Sequence, residues 1–443
     1  MTANRDTTPE RRIPARPDAG GTHLPIVSRT RPGHTLALAP PRQLVAPKRW
    51  AFWLVALAFG VTMFGTTLPT PLYVLYQREL GFSDLMITVI FAVYAAGVLA
   101  ALIVLGRASD QLGRRRVLLP GLACSALSAV AFLVAHGLVV LFVGRVLSGL
   151  SAGIFTGTAT ATLVDLAASG RTARATVVGT ACNMVGLGLG PLVAGVLAQF
   201  APLPLRLPFW IDLGLVLGAI IAIWVTPETV QVPEHPRLRV SRPDVPPEVR
   251  ATFARAATAG FAGFAVLGLF TAVVPSFLGK VLHQPSHVVA GAVVFVLFAS
   301  SAFGQVALAR PFGRWALAAG CGGLIVGMGL LAGGLAAKSL ALMVAAAIVA
   351  GLGQGLSFRA GLQALNTEAP AERRGGVASS FFVVAYVAIS LPVIGEGVAA
   401  TLVGLQTAGI AFSLVVMVIS AVGLAMLVSR RERSGNDVPQ VAR

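Results

Sequence analysis

Residues 106–117 read Gly-Arg-Ala-Ser-Asp-Gln-Leu-Gly-Arg-Arg-Arg-Val, a polar bracket between two long apolar runs. Gly106, Asp110 and Gly113 precede Arg114, Arg115 and Arg116. The chemistry this set offers is ionic contact that can form and release, not bond making. A carboxylate such as Asp110 is favoured at a helix N-terminus by about 0.3–1 kcal/mol when exposed. Asp165, which closes a later apolar run at the same level, is a natural partner for Arg114 or Arg115. The plainest reading of the set is a basic turn that only sets topology.

Two further ionisable residues stand where charge is costly. Arg145 lies roughly 10 Å below the outer end of its run, and Gly149, Gly153 and Gly157 follow it at spacings of four. That glycine spacing lets helix backbones approach closely. Glu396 follows Pro392 in another apolar run. Ionisable groups at such depth mark function by default, so Arg145 and Glu396 are the candidates for proton coupling. They are expected to approach one another when the outer side closes. Thr66, Thr70 and Tyr73 recur at helical spacing, and Tyr94, Thr156, Asn183, Gln354 and Tyr386 are polar groups in otherwise apolar runs. Together they outline a candidate substrate cavity with few charges. An anionic substrate would need an inward-facing Arg or Lys near the midplane, and none is evident.

These residues must be positioned by helices in a bilayer. The 443 residues are 56% hydrophobic and 12% charged, with a mean hydropathy of +0.82; a soluble domain carries about 25% charge. Apolar runs long enough to cross roughly 30 Å of hydrocarbon fall at 51–76, 84–106, 117–136, 138–166, 174–200, 207–226, 254–279, 286–309, 315–336, 340–364, 376–400 and 404–429. Strand-period alternation is absent, so the spanning structure is a helical bundle. Residues 1–50 read as a disordered basic tail, 51–226 and 251–430 as two six-helix bundles, 227–250 as a linker and 431–443 as a second tail.

A net charge of +17 would suggest nucleic acid in a soluble protein. Here Lys and Arg collect in the tails, the linker and alternate loops, leaving only Arg78, Arg206, Lys280 and Lys338 for the other side. That asymmetry predicts a multi-pass protein of the cell membrane with both termini cytoplasmic, and no nucleic-acid partner. Cys124, Cys182 and Cys321 lie within apolar runs without metal spacing and are expected to be packing residues. No metal or other cofactor is expected.

The halves echo one another weakly. Gly149-Leu-Ser-Ala-Gly153 aligns with Gly351-Leu-Gly-Gln-Gly355, and the same offset carries Arg171 onto Arg373. With this repeat, the loop at 106–117 resembles the signature loop between the second and third helices of the major facilitator superfamily of transporters. The likeness covers about residues 50–430. It implies an all-α fold of twelve transmembrane helices in two pseudo-symmetric bundles, with Asp110 set against the start of helix 11 and with Gly106, Asp110, Gly113, Arg114, Arg115 and Asp165 acting as a conformational latch. The arginine of helix 4 is similar to one linked to proton transfer in that family. Gly186, Gly190, Pro191 and Gly195 resemble its antiporter motif, with Ala194 in place of the first glycine of the terminal pair. Many proton-coupled drug exporters of the family carry an acid in helix 1, and this chain has none.

The function expected is export of a small, largely apolar compound in exchange for protons, by a monomer. Uptake of a metabolite by symport or facilitated diffusion is the alternative, and a non-transporting receptor or scaffold a lesser one. No Gly-x-x-x-x-Gly-Lys loop is present to drive a pump with ATP. The loops are too short and plain for a membrane enzyme, so no enzymatic activity is expected.

Overall fold

The computed structural model describes residues 49–105, 108–168, 171–232, 244–284, 286–370 and 373–436. Twelve long helices run through them: α1 Arg49–Thr67, α2 Asp84–Leu105, α3 Arg114–Leu133, α4 Leu138–Asp165, α5 Thr172–Phe200, α6 Leu207–Val225, α7 Arg250–Ala272, α8 His287–Phe303, α9 Ala316–Ala336, α10 Leu340–Glu368, α11 Arg374–Val403 and α12 Leu405–Asn436. Among the described residues every regular element is helical. The basic tail expected over 1–50 lies, up to residue 48, outside the described residues, as do 233–243 of the linker and 437–443 of the second tail.

Helical structure runs without a coil residue from His287 to Ala336, 50 residues, across the two apolar runs and residues 310–314 between them. At 1.5 Å per residue that is about 75 Å, more than twice a bilayer core. The chain solves this with a π-helical turn at Gly304–Leu308 and a reversal at Gly313, whose φ is +46°. Two spans, α8 and α9, result. Helix 1 is shorter than its apolar run. Pro69 and Pro71 supply no N–H, so α1 stops at Thr67, a 3-10 turn covers Thr70–Leu72, and helix resumes over Tyr73–Leu80. The offset that carries Gly149 onto Gly351 carries Pro71 onto Val273, where α7 breaks before a short helix at Val274–Lys280. The repeat is thus written in kinks as well as in glycines.

Within the first half α2 packs on α4, α3 on α4 and α6, and α1 on α5; within the second, α9 packs on α10 and α12, and α7 on α10 and α11. The halves meet along two symmetric seams, α5 against α8 and α2 against α11. One end of the molecule carries Arg114, Arg171, Arg174, Arg250 and Arg374 and is called here the basic end; the opposite end carries Asp84, Arg206, Lys280 and Lys338.

A central cavity and its two ends

At the basic end Gly113, with φ +103°, turns the chain into α3 in a conformation that L side chains rarely adopt. Arg114 then reaches three partners: Asp110 at 2.6 Å, Asp165 at 3.0 Å and the Ser109 hydroxyl at 2.6 Å. The expected partnership of Asp165 therefore falls to Arg114. The side chain of Asp110 stays 56% exposed and pairs within its own loop. Among the described residues it makes no hydrogen bond or ion pair with the start of α11. Gly106 lies outside the described residues.

Glu228, just beyond α6, joins this cluster. Its carboxylate accepts from the backbone N–H of Arg114 at 2.8 Å and of Arg115 at 3.2 Å, and from that of Thr229 at 3.0 Å. It caps the first turn of α3, whose N–H groups have no helical partner. A side chain at Gly113 would strike Glu228, so the turn glycine also makes room for the cap.

Arg145 does not snorkel. It is 1% exposed, donates from Nη1 to the Thr66 carbonyl at 2.8 Å, and places its guanidinium 4.6 Å from the Tyr94 ring centre and 5.6 Å from that of Phe91. Two cation–π contacts and a charge-assisted hydrogen bond offset its burial. Its Nε has no partner.

Between the halves lies a cavity of about 620 Å³ that runs from the level of Arg145 to Arg114 and Asp165 at the basic end. Its walls differ. The first half contributes most of the hydroxyls and an amide, among them Thr66, Thr67, Thr156, Thr160 and Asn183, beside the Phe91 and Tyr94 rings. The second is richer in rings, Phe264, Phe358, Phe382 and Tyr386, with Thr271 and Gln305 between them; Phe264 is 5.4 Å from Phe358 and 6.2 Å from Tyr386. Of the expected cavity residues, Thr66, Tyr94, Thr156, Asn183 and Tyr386 line it. Thr70 and Tyr73 do not, because the break after α1 takes them out of its helical register into a separate apolar cluster toward the opposite end. Gln354 turns away to accept from the Ser301 hydroxyl. A basic side chain does line the cavity, contrary to the sequence expectation: it is Arg145, covered by rings.

The opposite end is closed. Lys280 pairs with Asp84 at 2.5 Å, joining the end of the second half's first span to the start of α2, and Gln77 also donates to Asp84 at 2.8 Å. Gln199 of α5 accepts from the Ser286 hydroxyl at 2.7 Å and the Val288 N–H at 3.2 Å. Glu396 is here too, 3% exposed, beside Asp84, Thr88 and Ser276, with neither carboxyl oxygen hydrogen-bonded. The structure does not bring Arg145 and Glu396 together. Although this end is closed, the arginine is tied to α1 and the glutamate faces the α2–α11 seam.

The α5 motif serves two neighbours. Gly186 and Gly190 face α1, where a Cβ on Gly186 would lie 2.7 Å from the Gly60 carbonyl oxygen. Gly188 and Gly195 face α8, and the Pro191 carbonyl packs on Gly291. Only the second set spans the halves, so Gly190 packs within its own bundle.

Residues 55–392 match the model of the Major Facilitator Superfamily. The chain belongs to that superfamily. It resembles a triacylglyceride transporter of Mycolicibacterium hassiacum, 31% identical over 45% of this chain and 39% of that protein. It also resembles the quinolone resistance protein NorA of Staphylococcus aureus, 27% identical over 33% of this chain and 37% of that protein. The alignments thus span less than half the length of these relatives. Among solved structures, an inward-facing bacterial homologue of the human lysosomal transporter Spinster superposes with a TM-score of 0.67 over 85% of this chain and 96% of that one, at 14% identity. That likeness is one of fold.

As a member of the Major Facilitator Superfamily, the chain carries a multi-pass helical membrane fold. Two parts of its site escape a reading of the sequence. Glu228 sits in a polar stretch that reads as linker, and its role as a cap depends on how α6 ends beside α3. The ring-rich wall is drawn from α7, α10 and α11, whose phenylalanines read as ordinary core; helical spacing alone does not say which of them face a cavity. Gln305 is different: it is a lone amide in an apolar run and lines the cavity, so it was open to the argument that selected Asn183.

Proposed function

We propose that this transporter exports a small, largely apolar organic compound from the cytoplasm in exchange for protons. The observation that carries the reading is the cavity: a hydroxyl-rich wall facing a ring-rich wall, open toward the basic end. Its volume of about 620 Å³ falls in the range of roughly 300–1,000 Å³ that holds drug-sized ligands. Such a site suits a compact amphipathic molecule, as the name of the quinolone resistance relative implies for that protein. A lipid with three long chains, as in the name of the mycobacterial relatives, is a poorer match to an enclosure of this size.

The basic end is assigned to the cytoplasm by its charge, so the conformation faces inward. Transport then proceeds by rocking of the two halves about the cavity. Closure of the cytoplasmic end would bring Asp110 toward α11, and opening of the outer end would part Asp84 from Lys280. Arg145 and Glu396 remain the sequence candidates for proton coupling, and the structure supports separate roles for them, one at the cavity and one at the outer seam. The transporter is taken to act as a monomer.

Everted membrane vesicles test the reading. Acidifying the lumen by respiration should drive accumulation of a fluorescent, apolar organic cation, and a protonophore should abolish it. Accumulation that requires an alkaline lumen instead would establish proton symport and uptake.

A further inference from the structure

One ionisable side chain of the first half takes no part in the loop, the cavity or the outer closure. Asp212 lies near the outer start of α6 and is 3% exposed. Among the described residues no hydrogen bond or ion pair to it is found, and its Oδ1 is buried without a partner. The carboxyl is aimed at α1. There Gly65 has no side chain, and a Cβ on it would lie 2.6 Å from Oδ1 and 2.7 Å from Oδ2. Asp212 therefore occupies the volume that any other residue at position 65 would fill. It presses on the helix whose next residue, Thr66, lines the cavity and holds Arg145.

Helices α1, α3 and α5 pack against α6. Near this level α1 presents Thr62 and Thr66, but their hydroxyls already donate to the carbonyls of Ala58 and Thr62, each at 2.9 Å. Its other ionisable groups are Arg49 at the basic end and, past the break, Tyr73, Tyr76, Arg78 and Glu79. Helix α3 brings Arg114, Arg115 and Arg116 at the basic end and Cys124 midway; α5 brings Arg174 and Cys182. Arg206 precedes α6 at the surface. None of these pairs with Asp212. A buried charge persists when it is paired or hydrogen-bonded, and here an ionised carboxylate would have neither counter-charge nor donor. The neutral acid is the form this packing accepts.

We infer that Asp212 is a proton-binding site of the first half, enclosed between α6 and the bare face of α1 at Gly65. With the outer end closed, the proton is bonded to a carboxyl oxygen. When α1 shifts against α6, water from the cavity reaches the group past Gly65, the O–H bond breaks and the proton leaves to that water. The carboxylate left behind attracts Arg145, whose Nε is free, and draws it from the Thr66 carbonyl. Proton release is thereby converted into movement of the one cation that lines the middle of the cavity. The role in transport rests on the proton-exchange reading above; the bound proton does not.

Infrared spectroscopy of the full chain in proteoliposomes should show a protonated-carboxyl band at neutral pH that shifts in D₂O. Asp212→Asn should remove one component of the band and leave that of Glu396, and Glu396→Gln should leave the Asp212 component in place. In the same vesicles, an imposed pH gradient should accelerate flux of the fluorescent cation for wild type, and that acceleration should be lost in Asp212→Asn. A spectrum unchanged by Asp212→Asn overturns the proton site, and wild-type acceleration in that variant overturns its coupling role. Wild type without acceleration sinks the antiport reading and the coupling role together, whatever the spectrum. If the Asn variant does not assemble, Gly65→Ala keeps the acid but forces a Cβ onto it. Its carboxyl band should move, and an unmoved band counts against the site.

Discussion

Arg145 of α4 donates to the main-chain carbonyl of Thr66 in α1 at 2.8 Å. The charge thus anchors a backbone and not a counter-ion. The carbonyl is available because α1 ends at Thr67, and the last carbonyls of a helix lack helical donors. Pro69 and Pro71, which end the helix, thereby create the acceptor that a buried guanidinium needs. Tyr94 covers the other face of that group. A proline break, an arginine and a ring form one unit at the cavity wall.

Arg145→Met should leave the Thr66 carbonyl unsatisfied and cost about 1–3 kcal/mol of stability, read as a fall in thermal unfolding temperature in detergent. Arg145→Lys should recover part of the stability but little transport, because an ammonium does not combine planar stacking with the same directed bond. Equal flux for Lys and wild type would show that only the charge matters.

Glycines of the α5 motif should separate into two classes. Gly195→Val places bulk against the His287 backbone of α8 and should hold the outer end open. Gly190→Val meets the Phe64 backbone of α1 and should destabilise the first half by overpacking, about 1–3 kcal/mol. Labelling of a cysteine placed near Gln199 reports the difference: faster than wild type for the Gly195 variant, unchanged for a folded Gly190 variant.

How much of this was legible beforehand follows from what each residue depends on. The twelve spans were readable because hydrophobic length is a local property, and the superfamily because its loop keeps residue types, spacing and place together. The break in helix 1 is not legible, since hydropathy is blind to a proline break inside an apolar run, and the π turn within 286–309 is invisible to it for the same reason. Five of eight expected cavity residues line the cavity; Thr70 and Tyr73 fail for the same break, which shifts the helical register. The pairing of Arg145 with Glu396 fails because equal depth in the membrane says nothing about facing direction. Asp212 was visible as an acid within Leu-Pro-Phe-Trp-Ile-Asp-Leu-Gly, but its isolation becomes evident only when Gly65 is placed opposite it.

The outer ion pair should be tunable. Asp84 and Lys280 are partly exposed, 30% and 46%, and such pairs contribute about 0–1 kcal/mol. Lys280→Glu should therefore shift the population toward the outward-open form by repulsion, and adding Asp84→Lys should restore closure. Spin-label distances across the outer end, at low and high salt, check both the shift and its screening. A double variant that stays open would mean that close packing, of Gly195 on the His287 backbone and of Gly397 in α11 on Thr88 in α2, and not charge, closes this end.

The basic-end loop provides the sharpest division between fold and transport. Glu228 accepts two N–H groups of the first turn of α3, so Glu228→Ala removes a cap and should cost about 0.5–2 kcal/mol, loosening the turn at Gly113. Asp110 is largely exposed in this conformation and its contact with Arg114 is local. Asp110→Asn should therefore leave stability nearly unchanged, because Arg114 keeps Asp165. On the proposed transport cycle its effect belongs to the other conformation, in which the basic end is shut and the carboxylate would meet the start of α11. Flux should fall in Asp110→Asn while unfolding temperature does not; the reverse pattern is expected for Glu228→Ala, a lower unfolding temperature with flux retained in the protein that remains folded. Measuring both quantities for both variants in one lipid composition decides the matter. If Asp110→Asn exports at the wild-type rate, the carboxylate is no latch, and the loop is a basic turn held by Arg114, Asp165 and Glu228.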